Sequence, residues 1–320
     1  MPKEEANIQV DYSTQTTDPI AEYNQFYAPP WKLGVMALLR PAFYLQGRLS
    51  LSPAFLRSMP AGTNAIHQHG YPLKARREWV NKRTPLRGSK ILIQGTGTGG
   101  DALSWLPFEP QSVDGVDLFS FQQSWDKVRS YAESSGLLVP SFSVSGLETL
   151  PFASGSFDLA VSDAVFEHCR DLEAVMKEAK RVLRPGGFVY ATYGPMWFCL
   201  GGDHFSGRGG LTHGYNHLEL DSDDYRKYFR EMQLAEEDAQ SGGRYVELDL
   251  FSKLKTSEYL DVYKRCGFKV IDLILEVEPM AMQFRREFPE RFDDIVRKYP
   301  GLTADDLLIK GNFVILQSIG

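Results

Sequence analysis

The residues best suited to ligand binding form a glycine loop directly after a short apolar run, Ile91 to Ile93. Gly95, Gly97, Gly99 and Gly100 lack a Cβ, so the backbone there can turn sharply and approach a ligand closely. A glycine loop between a buried strand and a helix suits the anionic part of a nucleotide-like cofactor. The spacing fits both G-x-G-x-x-G and G-x-G-x-G, so the loop alone does not separate one cofactor class from another.

An acidic residue follows at the distance expected for a contact with a ribose. Asp117 ends the apolar run that starts at Val113, about 20 residues after the glycine loop, where a second parallel strand should finish. A carboxylate at this place accepts hydrogen bonds from ribose hydroxyls. Both a nicotinamide dinucleotide and other nucleoside-containing cofactors are compatible with it.

Three of the six histidines lie in a glycine-rich stretch after Gly194 and could transfer a proton. Histidine titrates near neutral pH, so it suits the removal of a proton from a hydroxyl group. His204 is the first candidate base, with Asp203 to orient it, and His213 or His217 is the second choice. The alternative is that these side chains only cap turns. Gly214 interrupts the helical spacing of His213 and His217, so we predict no metal site.

The elements that must position these residues alternate between strand and helix. Predicted strands cover Ile91–Gln94, Val113–Asp117, Phe142–Val144, Phe157–Ser162 and Phe188–Thr192. Such alternation predicts a parallel sheet with helices on both faces. Two more strands are expected at Phe268–Glu276 and Gly311–Ser318, with one helix between them at Met280–Lys298.

Changes in composition divide the chain into five parts. Residues 1–20 are polar and predicted to be disordered, and residues 21–88 form a helical, aromatic cap. Residues 89–195 are the cofactor-binding core, residues 196–256 a loop-rich insertion on the substrate side, and residues 257–320 complete the sheet. The aromatic side chains before residue 60 either cover a substrate, pack as ordinary core or form a homodimer interface.

Charge and cysteine content restrict the partners and the compartment. The net charge of −6 disfavours nucleic acid as a partner, and three widely spaced cysteines match no zinc or redox motif. We therefore expect a cytoplasmic protein with reduced thiols. The apolar stretch Leu33–Leu45 is too short to span a bilayer; it could lie on a membrane surface, but packing on its own domain is the preferred interpretation. A basic run from Lys74 to Lys90 is either a solvated face or a phosphate-binding surface.

Several short motifs occur in a fixed order along the chain, in addition to the glycine loop and Asp117. They are Leu150-Pro151-Phe152, Gly155-Ser156-Phe157-Asp158, Phe166-Glu167-His168 and Arg181-Val182-Leu183-Arg184-Pro185-Gly186-Gly187. Together they make the chain resemble the class I S-adenosylmethionine-dependent methyltransferases of type 11. The resemblance covers roughly residues 89–195 and the strands after residue 257.

The resemblance implies a Rossmann-like, doubly wound α/β sheet of seven strands, the last of them antiparallel, with S-adenosylmethionine as the cofactor. The cofactor-binding residues that it implies are Gln94, Gly95, Thr96, Gly97, Gly99, Asp117, Leu118, Gly146, Leu147, Asp163 and His168. Two positions depart from the family pattern. Gln94 stands where an acid is common, and Gly146 stands where an Asp often contacts the adenine amino group, a contact that Ser145 or Glu148 could replace.

The expected function is methyl transfer to a small-molecule acceptor, first of all to a hydroxyl oxygen with a histidine base. Nitrogen, carbon and sugar acceptors are alternatives. An alternative of another class is a regulatory subunit that binds the cofactor without catalysis, and another is a nicotinamide-dependent oxidoreductase. Nucleic acid and stable membrane insertion are not expected, and a homodimer is compatible with the sequence.

Overall fold

A single mixed sheet organises the protein. The computed structural model describes residues 18–24, 29–67, 72–235, 246–247 and 249–320, so nearly all of the predicted tail of residues 1–20 lies outside the described residues. The strands are β1 (Asn64–His67), β2 (Lys90–Gln94), β3 (Ser112–Asp117), β4 (Ser141–Val144), β5 (Phe157–Asp163), β6 (Leu183–Tyr193), β7 (Phe268–Val277) and β8 (Ile309–Ser318).

The sheet has the order β1-β7-β8-β6-β5-β2-β3-β4. β8 runs antiparallel to both of its neighbours, β6 and β7, and the other neighbouring strands are parallel. Starting at β2, the chain adds β3 and β4 on one side of the sheet and then β5 and β6 on the other, which is the doubly wound arrangement. The predicted fold class and the antiparallel last strand are confirmed. The carboxyl ends of β2, β3, β5 and β6 meet at one edge of the sheet.

One strand was missed by the sequence analysis. β1 pairs with β7 in parallel register, from Asn64 opposite Ile274 to His67 opposite Val277. It lies within the segment that we expected to be a helical cap, and it extends the sheet to eight strands. Four residues are too few to show a reliable alternation of apolar and polar side chains. This segment therefore forms a strand because it pairs with β7, and its local sequence pattern is not sufficient to predict it.

Helices cover both faces of the sheet. The described helices are α1 (Pro19–Asn24), α2 (Pro30–Ser50), α3 (Pro53–Ser58), α4 (Leu73–Asn81), α5 (Gln122–Ser134), α6 (Leu172–Val182), α7 (Asn216–Glu219), α8 (Ser222–Ala235), α9 (Thr256–Arg265), α10 (Pro279–Glu287), α11 (Pro289–Lys298) and α12 (Ala304–Leu308). Two apolar cores result, one on each face. In α6, Asp171 caps the first turn by accepting from the Ala174 N–H at 2.9 Å, and Val175 and Ala179 are fully buried.

Two predicted helices differ from the structure. The helix predicted over Met280–Lys298 is two helices, α10 and α11, separated at Phe288. Pro289 starts α11 because proline is favoured in the first turn of a helix but breaks a helix interior. The segment after the glycine loop is a 3₁₀ turn, Gly100–Ser104, and Leu106–Phe108 forms a second one around Pro107.

Among the described helices, none combines the length and the apolar character that crossing a bilayer requires.

Candidate cofactor and acceptor site

The glycine loop between β2 and the first 3₁₀ turn has three residues at positive φ: Gly95 (76°), Gly97 (49°) and Gly99 (85°). A Cβ at Gly95 would lie 2.4 Å from Val165 Cγ2, and one at Gly99 would lie 2.9 Å from the Phe142 ring. A Cβ at Gly97 would meet nothing within 4 Å. Gly95 and Gly99 are thus required by the fold, whereas Gly97 presents its backbone to open space.

Asp117, at the end of β3, holds the loop in place. Its Oδ2 accepts from the Gly97 N–H at 2.8 Å and its Oδ1 from the Phe119 N–H at 3.0 Å. Burial raises the pKa of Asp117, and these backbone hydrogen bonds partly oppose the rise. Each carboxylate oxygen can accept a second hydrogen bond. The geometry is compatible with the predicted contact to ribose hydroxyls.

Buried polar atoms beside the loop fit a polar ligand. Gln94 is fully buried at the end of β2, and neither its amide oxygen nor its amide nitrogen has a hydrogen-bond partner among the described residues. The buried hydroxyl of Thr96 likewise has no hydrogen-bond partner among the described residues. Buried polar groups normally have a partner, and the exceptions concentrate where a ligand binds. These atoms, with the open side of Gly97, form a cradle suited to the polar end of the cofactor.

The loop after β4 lies where the adenine is expected. Leu147 is buried and Leu118 is 57% exposed. Ser145 Oγ donates to the carbonyl oxygens of Gly146 and Thr149, whereas Glu148 Oε2 would lie 3.2 Å from a Cβ at Gly146. Of the two replacements considered for the missing Asp, Glu148 is therefore the better placed.

Asp163, at the end of β5, lies in an ion-pair network. Its carboxylate is 2.7 Å from Arg77 Nη1 and 3.1 Å from Arg76 Nη1, and it accepts from the hydroxyls of Tyr190 and Thr192. Although burial acts to raise its pKa, Arg77 and Arg76 lower the pKa of Asp163 to about 2. A contact of Asp163 with the cofactor stays a prediction. The two arginines belong to the basic run before β2, so this part of the run is not a solvated face.

The insertion brings His204 to the same edge of the sheet. Its ring centroid lies 4.7 Å from that of His168, and both rings contact Phe251. His168 Nδ1 is 2.7 Å from the carbonyl oxygen of Leu250. Burial and the neighbouring His168 lower the pKa of His204 to about 3. The ring of His204 is thus neutral at physiological pH and lies beside the carboxyl ends of β5 and β6.

Glu167 lies next to this histidine pair and was not among the predicted site residues. It is 2% exposed, its Oε1 accepts from the Gly194 N–H at 2.9 Å, and burial raises its pKa to about 8. Ligand atoms of Glu167, His168 and His204 all lie within 4.8 Å of one another, so the three could hold a metal ion. Two of these three possible metal ligands belong to the Phe166-Glu167-His168 motif of the sequence. The third, His204, joins them only in the folded structure.

The other predicted catalytic residues are placed differently. The carboxylate of Asp203 accepts from the N–H groups of Phe205 and Ser206 and from the Tyr225 hydroxyl, and it lies 3.8 Å from His217 Nδ1. His217 Nε2 lies 2.8 Å from the carbonyl oxygen of Trp197. Asp203 therefore organises the turn that carries His204, and its carboxylate contacts His217. The sequence analysis had instead assigned Asp203 to orient the ring of His204.

His213 stacks on the Tyr228 ring with centroids 5.4 Å apart, and its Nδ1 is 3.2 Å from Asn216 Nδ2. Both contacts are made within the insertion itself. They match the alternative in which a histidine of this segment serves only its local structure.

Comparison with known proteins agrees with this architecture. Residues 92–191 match a family model described as a methyltransferase domain. The chain is 35% identical over 151 residues to the biotin biosynthesis bifunctional protein BioHC of Saccharophagus degradans, covering 45% of this chain and 26% of that protein. It is 34% identical over 143 residues to the arsenite methyltransferase of Aquipseudomonas alcaligenes, covering 42% and 41%.

A ubiquinone biosynthesis O-methyltransferase of Albidiferax ferrireducens is 30% identical over 179 residues, covering 55% of this chain and 66% of that protein. The chain spans less than half the length of the first two relatives. The match of residues 92–191 includes β2 from Leu92 onward, the glycine loop, Asp117 and the strands β3 to β5. On the combined evidence of the sheet order and these matches, residues 92–191 form a methyltransferase domain, and the chain is similar to the class I S-adenosylmethionine-dependent methyltransferases, whose cofactor is S-adenosylmethionine.

Proposed function

We propose that this protein transfers the methyl group of S-adenosylmethionine to a small-molecule acceptor, first of all to a hydroxyl oxygen. The observation that carries the proposal is the approach of His204 to His168 at the edge of the sheet that also bears the glycine loop. A ligand cradle and a neutral imidazole thus share one side of the molecule. Methyl transfer requires such a shared side because acceptor and donor must be aligned in line.

The cofactor supplies a methyl carbon already activated by a sulfonium. The chain's own residues would bind and orient it: Asp117 would accept from the ribose hydroxyls, the open side of Gly97 would allow close approach, and the Gln94 amide would hold the polar end. Gln94 carries no charge, so its contact with an ammonium group is weaker than that of an acid. Glu148 and Leu147 would line the adenine.

His204 is the residue that we assign as base. Its pKa of about 3 means that the ring is unprotonated and able to accept a proton at neutral pH. Trp197 and Phe251, with ring centroids 5.0 Å apart, help to keep water away from this side of the site.

A small cavity supports a small, polar acceptor. It has a volume of about 180 Å³ and includes Ala164 and Gly194, which follow β5 and β6. Arg76, Lys310 and Glu276 contribute charges of both signs to its wall. A hydroxylated or zwitterionic molecule matches this lining better than a purely apolar one.

The accepting atom has alternatives. Relatives include an arsenite methyltransferase, a sterol 24-C-methyltransferase of Aspergillus fumigatus and the ubiquinone biosynthesis O-methyltransferase. The sterol relative supports carbon as a further candidate for this chain, and the sequence leaves nitrogen and sugar acceptors open. A regulatory subunit without catalysis is the alternative of another class, motivated by Gln94 and Gly146.

Calorimetric titration tests the cofactor assignment. The purified chain should bind S-adenosylmethionine and S-adenosylhomocysteine but not NADH, and Asp117→Ala should lose at least about tenfold in affinity for both. Asp126→Ala, on the exposed side of α5, is the matched control and should bind like the wild type. Binding of NADH in place of the sulfur compounds would contradict the assignment. Cofactor binding without turnover on any acceptor would favour the regulatory subunit.

A further inference from the structure

The surface of α2 has an unusual apolar stripe. Its residues follow the helical spacing i, i+4, i+7, i+11, i+14 and i+18, and all are exposed: Trp31, Val35, Leu38, Ala42, Leu45 and Leu49. Three of them, Trp31, Leu38 and Leu49, are more than 70% exposed. Single exposed apolar residues are ordinary, but an uninterrupted row along a 21-residue helix indicates a surface with a partner.

The opposite face of α2 is fixed to the protein. Gly47 is buried and approaches β1 so closely that a Cβ there would lie 2.6 Å from the carbonyl carbon of Ala65. Phe43 and Tyr44 are half-buried on the same side. The C-terminal half of the helix therefore packs on β1 with its apolar stripe directed away from the sheet, the orientation of a helix that binds in the plane of an interface.

The charged residues in the segment that carries the stripe are all positive. From residue 23 to residue 77 the chain has seven Lys or Arg and no Asp or Glu, although its net charge is −6. Lys32 and Arg48 are exposed and lie on opposite flanks of the stripe. At the end of α2, a cavity of about 370 Å³ is lined by Arg48 and Arg57 together with uncharged residues such as Thr63 and Asn64.

We propose that α2 and the neighbouring Arg48–Arg57 cavity dock this protein on the surface of an anionic phospholipid bilayer. The aliphatic stripe would enter the boundary between headgroups and acyl chains, and the guanidinium groups would contact lipid phosphates. A second copy of the chain fits this surface less well, because twofold pairing of α2 would bring its cations together and the segment that carries the stripe supplies no acid to neutralise them. The inference is independent of methyl transfer.

Flotation of the full chain with lipid vesicles tests the proposal. Vesicles of phosphatidylcholine containing about a third phosphatidylglycerol should bind the protein, and phosphatidylcholine alone should bind it at least about tenfold more weakly. Leu38→Glu combined with Leu45→Glu should abolish binding. Arg48→Gln combined with Arg57→Gln should reduce it to the level of neutral vesicles. Val139→Glu, at another exposed apolar residue, is the matched control and should bind like the wild type.

Unchanged melting temperatures would show that these surface variants remain folded. Equal binding to neutral and anionic vesicles would overturn the role of the arginines. A failure to bind vesicles, with dimerisation in analytical ultracentrifugation that is lost in the Leu38→Glu, Leu45→Glu variant, would overturn the proposal and assign the stripe to a second copy. Since no acceptor or cofactor is present, none of these results depends on the proposed methyl transfer.

Discussion

The histidines of the insertion share a residue type and a stretch of sequence, but their surroundings give them different chemistry. His204 lies against His168 and Phe251 at the edge of the sheet, whereas His213 stacks on Tyr228 and His217 contacts a backbone carbonyl. A proton-transfer role needs a ring nitrogen near the acceptor. These surroundings support the order in which the sequence ranks the three histidines as candidate bases, with His204 first.

Replacement of His204 should reduce turnover without weakening cofactor binding. We expect His204→Ala to lower kcat by about 100-fold or more, since general base catalysis contributes on this scale. The measurement is transfer of a labelled methyl group to a panel containing a phenol, an amine, a sterol, a sugar and arsenite. S-adenosylmethionine affinity, measured by calorimetry, should change less than about twofold. If His213→Ala lost the activity and His204→Ala kept it, our assignment of the base would be wrong.

Asp163 should contribute to stability in a pH-dependent way. Asp163→Asn leaves the fully buried Arg77 without its nearest carboxylate, so we expect a loss of about 3–5 kcal/mol at neutral pH. The pKa of Asp163 is lowered to about 2, so the stabilisation is present above its ordinary value and is lost as the pH falls through about 2.

In urea unfolding, the difference in the free energy of unfolding between the wild type and Asp163→Asn should therefore narrow as the pH is lowered from about 5 towards 2. Asp126→Asn, at a largely exposed carboxylate on α5, should differ little from the wild type in the free energy of unfolding over the whole pH range. A gap for Asp163→Asn that did not change with pH would mean that packing, and not the ion pair, causes the loss.

At the scale of elements, packing decides the outcome where local preference is the same. α2 has two interior glycines, Gly34 and Gly47, which a helix tolerates equally poorly. Gly34 has open space around its Cβ position, whereas Gly47 lies on the backbone of β1. The residue type is identical, and only the contact with β1 separates the two positions.

Alanine at these two glycines should have opposite effects on unfolding by urea. Gly34→Ala should raise the free energy of unfolding by about 0.5–1 kcal/mol, because alanine favours the helix. Gly47→Ala should lower it by about 1–3 kcal/mol, because its Cβ would overlap the backbone of Ala65 and Ile66 and force α2 away from β1. Equal stabilisation by both variants would show that α2 does not pack on β1 as described.

The same distinction between local sequence pattern and packing partner applies to two errors of the sequence analysis, the missed strand β1 and the single helix predicted where α10 and α11 lie. β1 was missed because four residues provide little pattern and the strand depends on β7. The end of α10 could have been predicted more accurately, because Pro289 is visible in the sequence. Strands β2, β3 and β5 were predicted nearly to the residue: β2 and β5 are largely continuous apolar runs, as buried parallel strands are, and β3 ends at the acidic residue expected about 20 residues after the glycine loop.

At the scale of the whole molecule, the insertion and the N-terminal segment reach the sheet in different places. The insertion covers the carboxyl edge near β5 and β6, where His204 meets His168. α2 lies on β1 and β7 at one end of the sheet, and α4 sends Arg76 and Arg77 to Asp163. The described parts of the predicted cap thus reach the core in separate places: α1 at the 3₁₀ turn Gly100–Ser104, α2 at β1, and α4 at the end of β5.

The sequence by itself determined the fold class, the glycine loop and the place of Asp117, because these depend on local backbone geometry and on strand periodicity, and the resemblance of its ordered motifs to a known family implied the cofactor. The tertiary structure alone decided that Asp163 pairs with two arginines, that Glu167 and His168 meet His204, and that the apolar stripe of α2 stays exposed. These residues lie tens of residues apart from their partners. Their burial and charge environment arise only when the sheet and the insertion are assembled.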